Sequence, residues 1–596
     1  MDNTLYDILK DSTNHRYKRY SKTELKQSDF STGTYTIDKP GVYILTENIS
    51  FKPNPDKDFL PGTLLSNCAV DPFTLGFFAA IRICCEEVVL DLNGFRLEQS
   101  KEHYLQQRFF SLIELADRPF QSSTGPANFG TKLNPARMTT IRNGILGRSA
   151  HHSIHGNLCT DILIEDINFI DFEIASCSLN SFHRVVIKNC LIERNNHSIP
   201  VLGSYSASRF IRTFLKLAIK DAPNEDIANK GRNILNKLQT KMDKVFQEFI
   251  ETGETTDELY RNPSKLSDGN TFGMIFHGKF NVMDFQQLRD YEFTDLVIED
   301  ITIKQIQNDI NEIVAISSEN KKPFTDPAGS VFQIETTTNI KNGKYIPNEL
   351  AEAQLYLAEY GDEKSLCRSN LHLALGLIEW KNTPNSTIND IMAKHKYQYI
   401  CNGDSMHHLN KGNFGIKLDG GKNVFLNNIS IKEIKNHSRM GSDIAGEYTK
   451  SHKNQSDRSL GYTACNCRGI SISASSNIHM DNIKIDKIIS MNGNALGMDI
   501  FNSTEYCHIQ YIHITDIQTG TKINNQWIGK SHHGKHTEYT INNPNKIPTG
   551  YGLRVDDTTC ILDLNNIKVS GENTGPVNFI PVSIGSNIKH IKKEFY

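Results

Sequence analysis

The chain has 596 residues and a formal net charge of -3 at pH 7. That length allows several domains of about 150 residues each, or one continuous repeat structure. The nearly balanced charge gives no reason to expect nucleic-acid binding, which favours a concentrated basic surface. No apolar run reaches the roughly 18 residues that a membrane-spanning helix needs, so no membrane span is predicted.

The N-terminal part of the chain changes from a polar segment to a strand-rich one. Residues 1–30 are polar and charged, and we predict an N-terminal arm or cap there. They contain no basic and then apolar secretory signal, so we expect synthesis in the cytoplasm. Residues 33–45 have the pattern of a strand, a Pro-Gly turn and a second strand. This pattern opens a predicted set of β-coils over residues 31–203.

A short pattern recurs within those coils at a fixed interval. Residues 162–169 and 185–192 both consist of apolar alternation, a small polar residue and a second apolar pair, and their markers Asp166 and Asn189 lie 23 residues apart. A unit that short buries its apolar face only against neighbouring units. The alternation has the period of a strand, and β-branched residues are frequent. The repeat therefore predicts the stacked coils of a parallel β-helix.

The same pattern is found along most of the chain. Its marker residues are Asn93, Asn143, Asp166, Asn189, Asp300, Asn428, Asn482, Tyr511 and Asn566. Most intervals equal one or two units of 23 to 29 residues, but two intervals are 111 and 128 residues long. The two long intervals predict insertions between coils.

The two insertions have different patterns. Residues 204–290 are predicted to be a helical insertion, because Ile234, Leu238, Met242, Val245 and Phe249 are spaced as one helix face. We expect that face to dock against the coils, and a partner-binding helix is the alternative. Residues 291–336 return to β-helix strands, and residues 337–411 are predicted to be a second, irregular and helical insertion.

The C-terminal part of the chain resumes the coils over residues 412–575, and residues 576–596 are predicted to cap the open end. The strand-rich parts, about 31–203, 291–304, 328–336 and 412–580, resemble right-handed parallel β-helix proteins of the pectate-lyase-like superfamily. The predicted fold class is an all-β solenoid, a right-handed parallel β-helix with two mainly helical insertions. The resemblance implies that an outward face handles polysaccharides.

Strand alternation separates a core row from an outward row in the last coils. Ile416, Leu418, Met498, Ile500, Leu553 and Val555 are expected inside, and Lys417, Asp419, Asp499, Arg554 and Asp556 outside. Carboxylates and cations in rows suit sugar hydroxyls and uronates. An ordinary solvated face is the other interpretation of the same row. We predict that Lys417, Asp419, Phe501 and Tyr551 bind substrate.

Two kinds of polysaccharide cleavage fit these residues, and Asp499, Arg554, Asp556 and Asp557 are the candidate catalytic residues. Glycoside hydrolysis needs two carboxyl groups about 5 to 9.5 Å apart, which Asp499 with Asp556 or Asp557 would supply. A lyase needs a base such as Arg554 or a lysine, with a divalent cation such as calcium held by carboxylates. No other cofactor is predicted.

Histidine and cysteine residues give no further site. The clusters His151-His152-x-x-His155 and His532-His533-x-x-His536 contain potential ligands, but they lack the His-Glu-x-x-His helix pattern, so no metal site is predicted. The twelve cysteines are scattered, and without a secretory signal we expect reduced core thiols.

Two functions follow from the sequence. The first is a polysaccharide-interacting β-helix protein whose partner is a glycan and which, as an enzyme, would be a lyase or glycoside hydrolase. The alternative is a non-catalytic structural component of a virus particle, fibre or surface layer, which forms homo-oligomers or assembles into particles through its insertions. The abundance of Asn, Lys and Ile is typical of AT-rich genomes, among them those of some large DNA viruses, which is compatible with incorporation into a virion.

Overall fold

The computed structural model describes residues 3–59, 76–106, 110–119, 133–194, 199–253, 255–257, 271–278, 293–308, 340–341, 344–345, 349–360, 412–436, 467–490, 494–501, 506–519, 522–523, 526–527, 550–556, 561–570, 579–585 and 589–595. The predicted strand-rich segment 328–336, most of the predicted second insertion and the second histidine cluster lie outside these residues.

The described elements are mostly strands. In the N-terminal half they are β1 (Lys22–Leu25), β2 (Tyr35–Ile37), β3 (Gly41–Leu45), β4 (Ile49–Phe51), β5 (Ala79–Ile83), β6 (Glu86–Asp91), β7 (Arg96–Gln99), β8 (Ser111–Glu114), β9 (Arg137–Leu146), β10 (His152–Asn157), β11 (Thr160–Ile170), β12 (Ala175–Asn180), β13 (His183–Glu193), β14 (Thr271–His277), β15 (Phe293–Lys304) and β16 (Gln307–Asn308). In the C-terminal half they are β17 (Ile340–Lys341), β18 (Lys344–Tyr345), β19 (Asn413–Asp419), β20 (Gly421–Asn436), β21 (Cys467–Ser473), β22 (Ser476–Ser490), β23 (Ala495–Phe501), β24 (Tyr506–Thr519), β25 (Lys522–Ile523), β26 (Gln526–Trp527), β27 (Gly550–Asp556), β28 (Ile561–Ser570), β29 (Phe579–Ile584) and β30 (Lys589–Phe595). The helices are α1 (Asn3–Arg19), α2 (Lys101–Gln106), α3 (Ile199–Lys220), α4 (Glu225–Thr252) and α5 (Glu349–Tyr360), with 3-10 helices at Gln27–Phe30 and Pro55–Lys57.

Two large parallel sheets form the walls of a solenoid. Sheet A has 15 strands in the order β1-β3-β6-β9-β11-β13-β15-β20-β22-β24-β28-β30, with β4, β7 and β16 beside this path. Sheet B has 11 strands in the order β2-β5-β8-β10-β12-β14-β19-β21-β23-β27-β29. Each sheet B strand is followed along the chain by a sheet A strand, as β19 is followed by β20. This repeated parallel pairing confirms the predicted parallel β-helix.

The strands of sheet A bend at the marker residues. All nine markers have positive φ, between 51° and 59°, including Tyr511 at 53°. Asn and Asp adopt this left-handed conformation more readily than most residues, which explains their selection at the bend. The side chains also stack, because Asn428 Nδ2 donates to Asp300 Oδ1 (2.6 Å) and Asn482 Nδ2 donates to Asn428 Oδ1 (3.0 Å). The predicted ladder of markers is confirmed.

One continuous apolar core fills the space between the sheets. The six residues expected inside, Ile416, Leu418, Met498, Ile500, Leu553 and Val555, all belong to this core. Five successive strands of sheet B each carry a glycine at the same position, and these glycines let the side chains of sheet A approach closely. They are Gly273, Gly415, Gly469, Gly497 and Gly552. A Cβ on Gly469 would lie 2.5 Å from the Gly497 carbonyl oxygen, so this row excludes larger residues.

Helix α1 lies along the outer surface of sheet A. Its Leu9 packs with Leu163, Val186 and Val297, which belong to neighbouring strands of that sheet. Lys10 Nζ donates to a Glu165 carboxylate oxygen at 2.6 Å. The segment predicted as a polar arm therefore contains a helix that contacts the side of the solenoid across several coils.

The described helices of the two insertions pack together. α3 and α4 contact each other and both contact α5, which comes from the second insertion. The five residues expected on one face of α4 are buried. Arg209 Nη1 donates to the Gln106 carbonyl oxygen at 3.2 Å, and Arg212 pairs with Asp58, so α3 is bound to the N-terminal coils.

Candidate functional site

The predicted site residues lie on the outer surface of sheet B. Strand register aligns Lys417 with Ser471, Ser471 with Asp499, and Asp499 with Arg554. These residues form one outward row on β19, β21, β23 and β27, with successive strands about 4.8 Å apart. The structure thus brings Lys417, Asp499 and Arg554 onto one face.

Asp499 is enclosed between two arginines. Arg468 Nε donates to Asp499 Oδ2 at 2.7 Å, and Arg554 donates from Nε at 2.8 Å and from Nη2 at 2.9 Å. Asp499 is 0 % exposed. Burial by itself raises the pKa of this carboxyl group, but the two guanidinium groups outweigh burial and lower the pKa. Asp499 therefore stays ionised and fixes the positions of Arg468 and Arg554.

Lys417 has a different environment from the arginines. Its Nζ lies 5.9 Å from the ring centroid of Phe272 and 5.9 Å from that of Phe414, and these two rings stack at 5.0 Å. Burial lowers the pKa of Lys417, Arg468 lowers it further, and Asp419 opposes the shift. No acceptor for the Lys417 ammonium is found among the residues that the structure describes.

Asp419 contacts polar groups on both neighbouring strands. Its Oδ2 lies 3.7 Å from His277 Nδ1 on β14, and Ser473 Oγ of β21 donates to its Oδ1 at 3.0 Å. Burial raises the pKa of Asp419, but His277, Lys417 and Ser473 outweigh burial and lower it. Asp419 is thus a second ionised carboxylate on this face.

The remaining predicted residues are at the edges of the same face. Tyr551 is half-buried, and its ring centroid lies 5.5 Å from the Arg554 guanidinium carbon. Phe501 ends β23 and is aligned with Asp556, the last residue of β27. Asp557 lies outside the described residues. The structure therefore places Tyr551 beside Arg554, and Phe501 in a separate outward row with Asp419.

This face is not an ordinary solvated surface, which was the alternative interpretation of its charged row. Phe272, Phe414, Leu496, Ser471 and Asp499 all point outward from sheet B, yet all five are buried. Buried charges persist only when they are paired or hydrogen-bonded. The Arg468–Asp499–Arg554 cluster meets that requirement.

Sequence reasoning missed four residues of this site, which are Arg468, Phe272, Phe414 and His277. A glycine follows Phe272, Phe414, Arg468 and Tyr551, so the x-Gly-apolar pattern is a signal that aligns them. The register confirms that Phe272 faces Phe414 and that Phe414 faces Arg468. His277 is aligned with Asp419 in the same way.

Within the described ranges, no group of three or more His, Cys, Asp or Glu residues is placed to hold a metal ion. No helix among the described residues has the length and apolar character needed to cross a membrane.

The fold and this face define a parallel β-helix protein with a charged and aromatic outward surface. No protein-family model matches the chain, and no curated protein matches it in sequence. Its structure is similar to the A-module of mannuronan C-5 epimerase AlgE4 of Azotobacter vinelandii, with 7% identity, 98% of this chain and 92% of that chain covered, and a TM-score of 0.30.

Two further solved structures are similar at the same level. PfbA, a surface adhesin of Streptococcus pneumoniae, has 8% identity, with 100% of this chain and 86% of that chain covered, and a TM-score of 0.28. An exopolygalacturonase from Thermotoga maritima has 8% identity, with 98% and 87% covered, and a TM-score of 0.25. TM-scores this low carry no argument about activity.

Proposed function

We propose that this protein binds an acidic polysaccharide along the outward face of sheet B. The observation that supports the proposal is the Lys417 ammonium, which lies beside two stacked aromatic rings and has no acceptor among the described residues. A uronate carboxylate supplies the missing acceptor through a charge-assisted hydrogen bond.

Arg468 extends this cationic surface by one strand. Its guanidinium carbon lies 5.2 Å from the Phe414 ring centroid, so Arg468 and Lys417 both lie next to the same ring. Asp499 accepts a hydrogen bond from Arg468 Nε. The two Nη groups of Arg468 make no hydrogen bond to the described residues. A guanidinium fixed in this way binds a carboxylate with little loss of side-chain freedom.

Asp419 and Asp499, the two carboxylates whose side chains are described at this site, are poorly suited to act as the acid of a glycoside hydrolase. A glycoside hydrolase needs a carboxyl group that keeps its proton, whereas the pKa values of Asp419 and Asp499 are both lowered. A lysine with a lowered pKa is suited to remove a proton from the carbon beside a uronate carboxylate. If the bound polymer is cleaved, we propose β-elimination in which the neutral form of Lys417 is the base and Arg468 holds the uronate carboxylate.

Binding to a panel of polymers tests the proposal. Calorimetric titration with polyuronates and neutral glucans should give binding to the acidic polymers, and ultraviolet absorbance reports any unsaturated uronate product. Lys417→Met should weaken acidic-polymer binding by about tenfold or more, because a charge-assisted hydrogen bond contributes about 1.5 to 3 kcal/mol. The matched control Lys568→Met changes an exposed lysine on β28 of sheet A and should leave the affinity unchanged.

Two outcomes contradict the proposal. Equal affinity for acidic and neutral polymers would show that Lys417 does not select a carboxylate. An absence of binding to every polymer would favour the alternative, a non-catalytic structural protein of a particle, fibre or surface layer.

A further inference from the structure

A second cluster of polar side chains lies on the outer face of sheet B, on its N-terminal strands. β8, β10 and β12 are adjacent and parallel, and their register aligns Glu114 with His155 and His155 with Ser178. A carboxylate, an imidazole and a hydroxyl therefore follow each other in one outward row, with a strand spacing of about 4.8 Å.

The imidazole is held by the carboxylate. His155 Nδ1 lies 2.9 Å from both oxygens of Glu114, and Ser111 Oγ donates to Glu114 Oε2 at 3.0 Å. Burial raises the pKa of Glu114, and the contact with His155 opposes that shift. The His152 ring stacks on the His155 ring at 5.2 Å with an interplanar angle of 9°. The position of His155 is thus fixed from two directions.

The tautomer of His155 follows from its neighbours. Asn180 Nδ2 lies 3.4 Å from His155 Nε2 and 2.9 Å from Asn157 Oδ1. An amide nitrogen only donates, so the lone pair of Nε2 faces Asn180 and the ring proton lies on Nδ1 toward Glu114. Nε2 is therefore the basic atom, and it lies on the side of β12.

The Ser178 hydroxyl is buried on the strand next to this base. Ser178 is 6 % exposed, and its hydroxyl makes no hydrogen bond within the part of the chain that the structure describes. The Asn180 contact to Nε2 is long and easily exchanged. The described residues give no hydrogen bond between Ser178 Oγ and His155 Nε2, so the serine side chain has to turn toward the imidazole that Glu114 orients. Such nucleophile–base contacts are often loose before substrate binds.

We propose that Glu114, His155 and Ser178 form a catalytic triad that hydrolyses small acyl esters. Ser178 Oγ attacks the ester carbonyl carbon while His155 Nε2 accepts the hydroxyl proton. The tetrahedral intermediate breaks its bond to the alcohol oxygen, and the alcohol takes that proton from His155. Water then attacks the acyl-serine, His155 accepts one water proton and returns it to Ser178 Oγ, and the carboxylic acid is released.

Asn180 completes the site as a donor to the oxyanion. Its amide leaves the long contact with Nε2 when the serine hydroxyl takes that position, and the freed N–H then donates to the oxygen that develops negative charge. Loss of one such donor costs about 100-fold to 1,000-fold in rate. This triad is independent of the proposed polysaccharide binding, because His155 lies three strands, about 14 Å, from Lys417 along the row.

Labelling with a fluorophosphonate tests the triad on the full chain. The probe should modify Ser178, as identified by peptide mass spectrometry, and the protein should hydrolyse p-nitrophenyl acetate. Ser178→Ala should abolish labelling and His155→Ala should lower the hydrolysis rate by about 1,000-fold or more. The matched control Ser430→Ala, on β20 of sheet A, should change neither.

Further measurements separate loss of the nucleophile from loss of the fold. Ser178→Ala removes one oxygen atom, so its circular dichroism and unfolding midpoint should equal those of the unmodified protein. Ser178→Cys should react with iodoacetamide at a rate that falls when His155 is also replaced. Labelling at another serine, or ester hydrolysis that persists in Ser178→Ala, overturns the proposal. Absence of both labelling and hydrolysis overturns it as well.

Discussion

The buried Asp499 cluster gives a stability prediction whose magnitude follows from its contacts. Asp499→Ala removes a 0 % exposed carboxylate and three charge-assisted hydrogen bonds of 2.7, 2.8 and 2.9 Å. Removing one partner of a buried ion pair costs about 3–5 kcal/mol, because the other charge is left without compensation. The Arg468 and Arg554 side chains are 12 % and 23 % exposed and recover some hydration. We therefore expect a loss of about 3 kcal/mol.

Urea unfolding followed by circular dichroism measures this loss. The matched control is Asp563→Ala, because Asp563 pairs with His508 at 2.7 Å but its side chain is 23 % exposed. An ion pair in which both partners keep contact with water contributes about 1 kcal/mol or less, and the Asp563 pair, unlike Asp499, is of this kind. If the two substitutions lower the free energy of unfolding equally, the conclusion that Asp499 is a buried structural counter-ion is wrong.

The pH dependence of the same variant gives a second check. The pKa of Asp499 is lowered in the folded protein, so its contribution to stability is complete above the unfolded-state pKa of about 3.9. That contribution is lost as pH falls through the lower, folded-state pKa. The stability difference between the unmodified protein and Asp499→Ala should therefore be constant near neutral pH and shrink in acid. A difference that grows in acid would refute the reasoning.

Three further predictions concern other parts of the molecule. Gly469→Ala places a Cβ 2.5 Å from a backbone oxygen and should lower the free energy of unfolding in urea by about 1–3 kcal/mol. Gly550→Ala is the control and should lower it less, because the nearest atom to a Cβ on Gly550 is 3.2 Å away. Leu9→Ala removes the buried anchor of α1 and should cost about 2–5 kcal/mol for undocking, seen as faster hydrogen exchange in α1. Burial lowers the pKa of Lys417, so its ammonium should lose its charge below the ordinary lysine pKa of about 10.4. Binding titrations at increasing pH should therefore show the affinity for acidic polymers declining before that pH is reached.

The fold was predictable from sequence because its constraints are local. Inward and outward positions alternate along each strand, so Ile416 and Leu418 identify the core face without knowledge of their partners. The left-handed bend selects Asn or Asp in most coils, and the regular spacing of these markers follows from the coil length. Tyr511 has the same φ as the other markers, so the repeat was recognisable even where the residue type differed.

The site was only partly predictable because its contacts connect distant parts of the chain. Arg468 and Asp499 are 31 residues apart, and the insertions make the spacing between neighbouring coils irregular. Alternation correctly placed Asp499 on the outward face, but alternation contains no information about what encloses that face. Helix α1 was not predicted because the residues on which it packs, Leu163 and Val186, are distant from it in the sequence.

Both sheets bury charged groups on their outward faces, but Glu165 and Asp91 of sheet A contact helix α1, whereas Asp499 and Glu114 of sheet B are paired within the sheet. On sheet B the outward rows contain Asp499 and Glu114, which are charged or chargeable groups removed from water. A core of this size does not need such groups for folding, because replacing a buried ion pair with apolar residues is often neutral or stabilising. Recognition or chemistry on sheet B gives a physical reason for keeping them, and both proposed sites are therefore placed on that face.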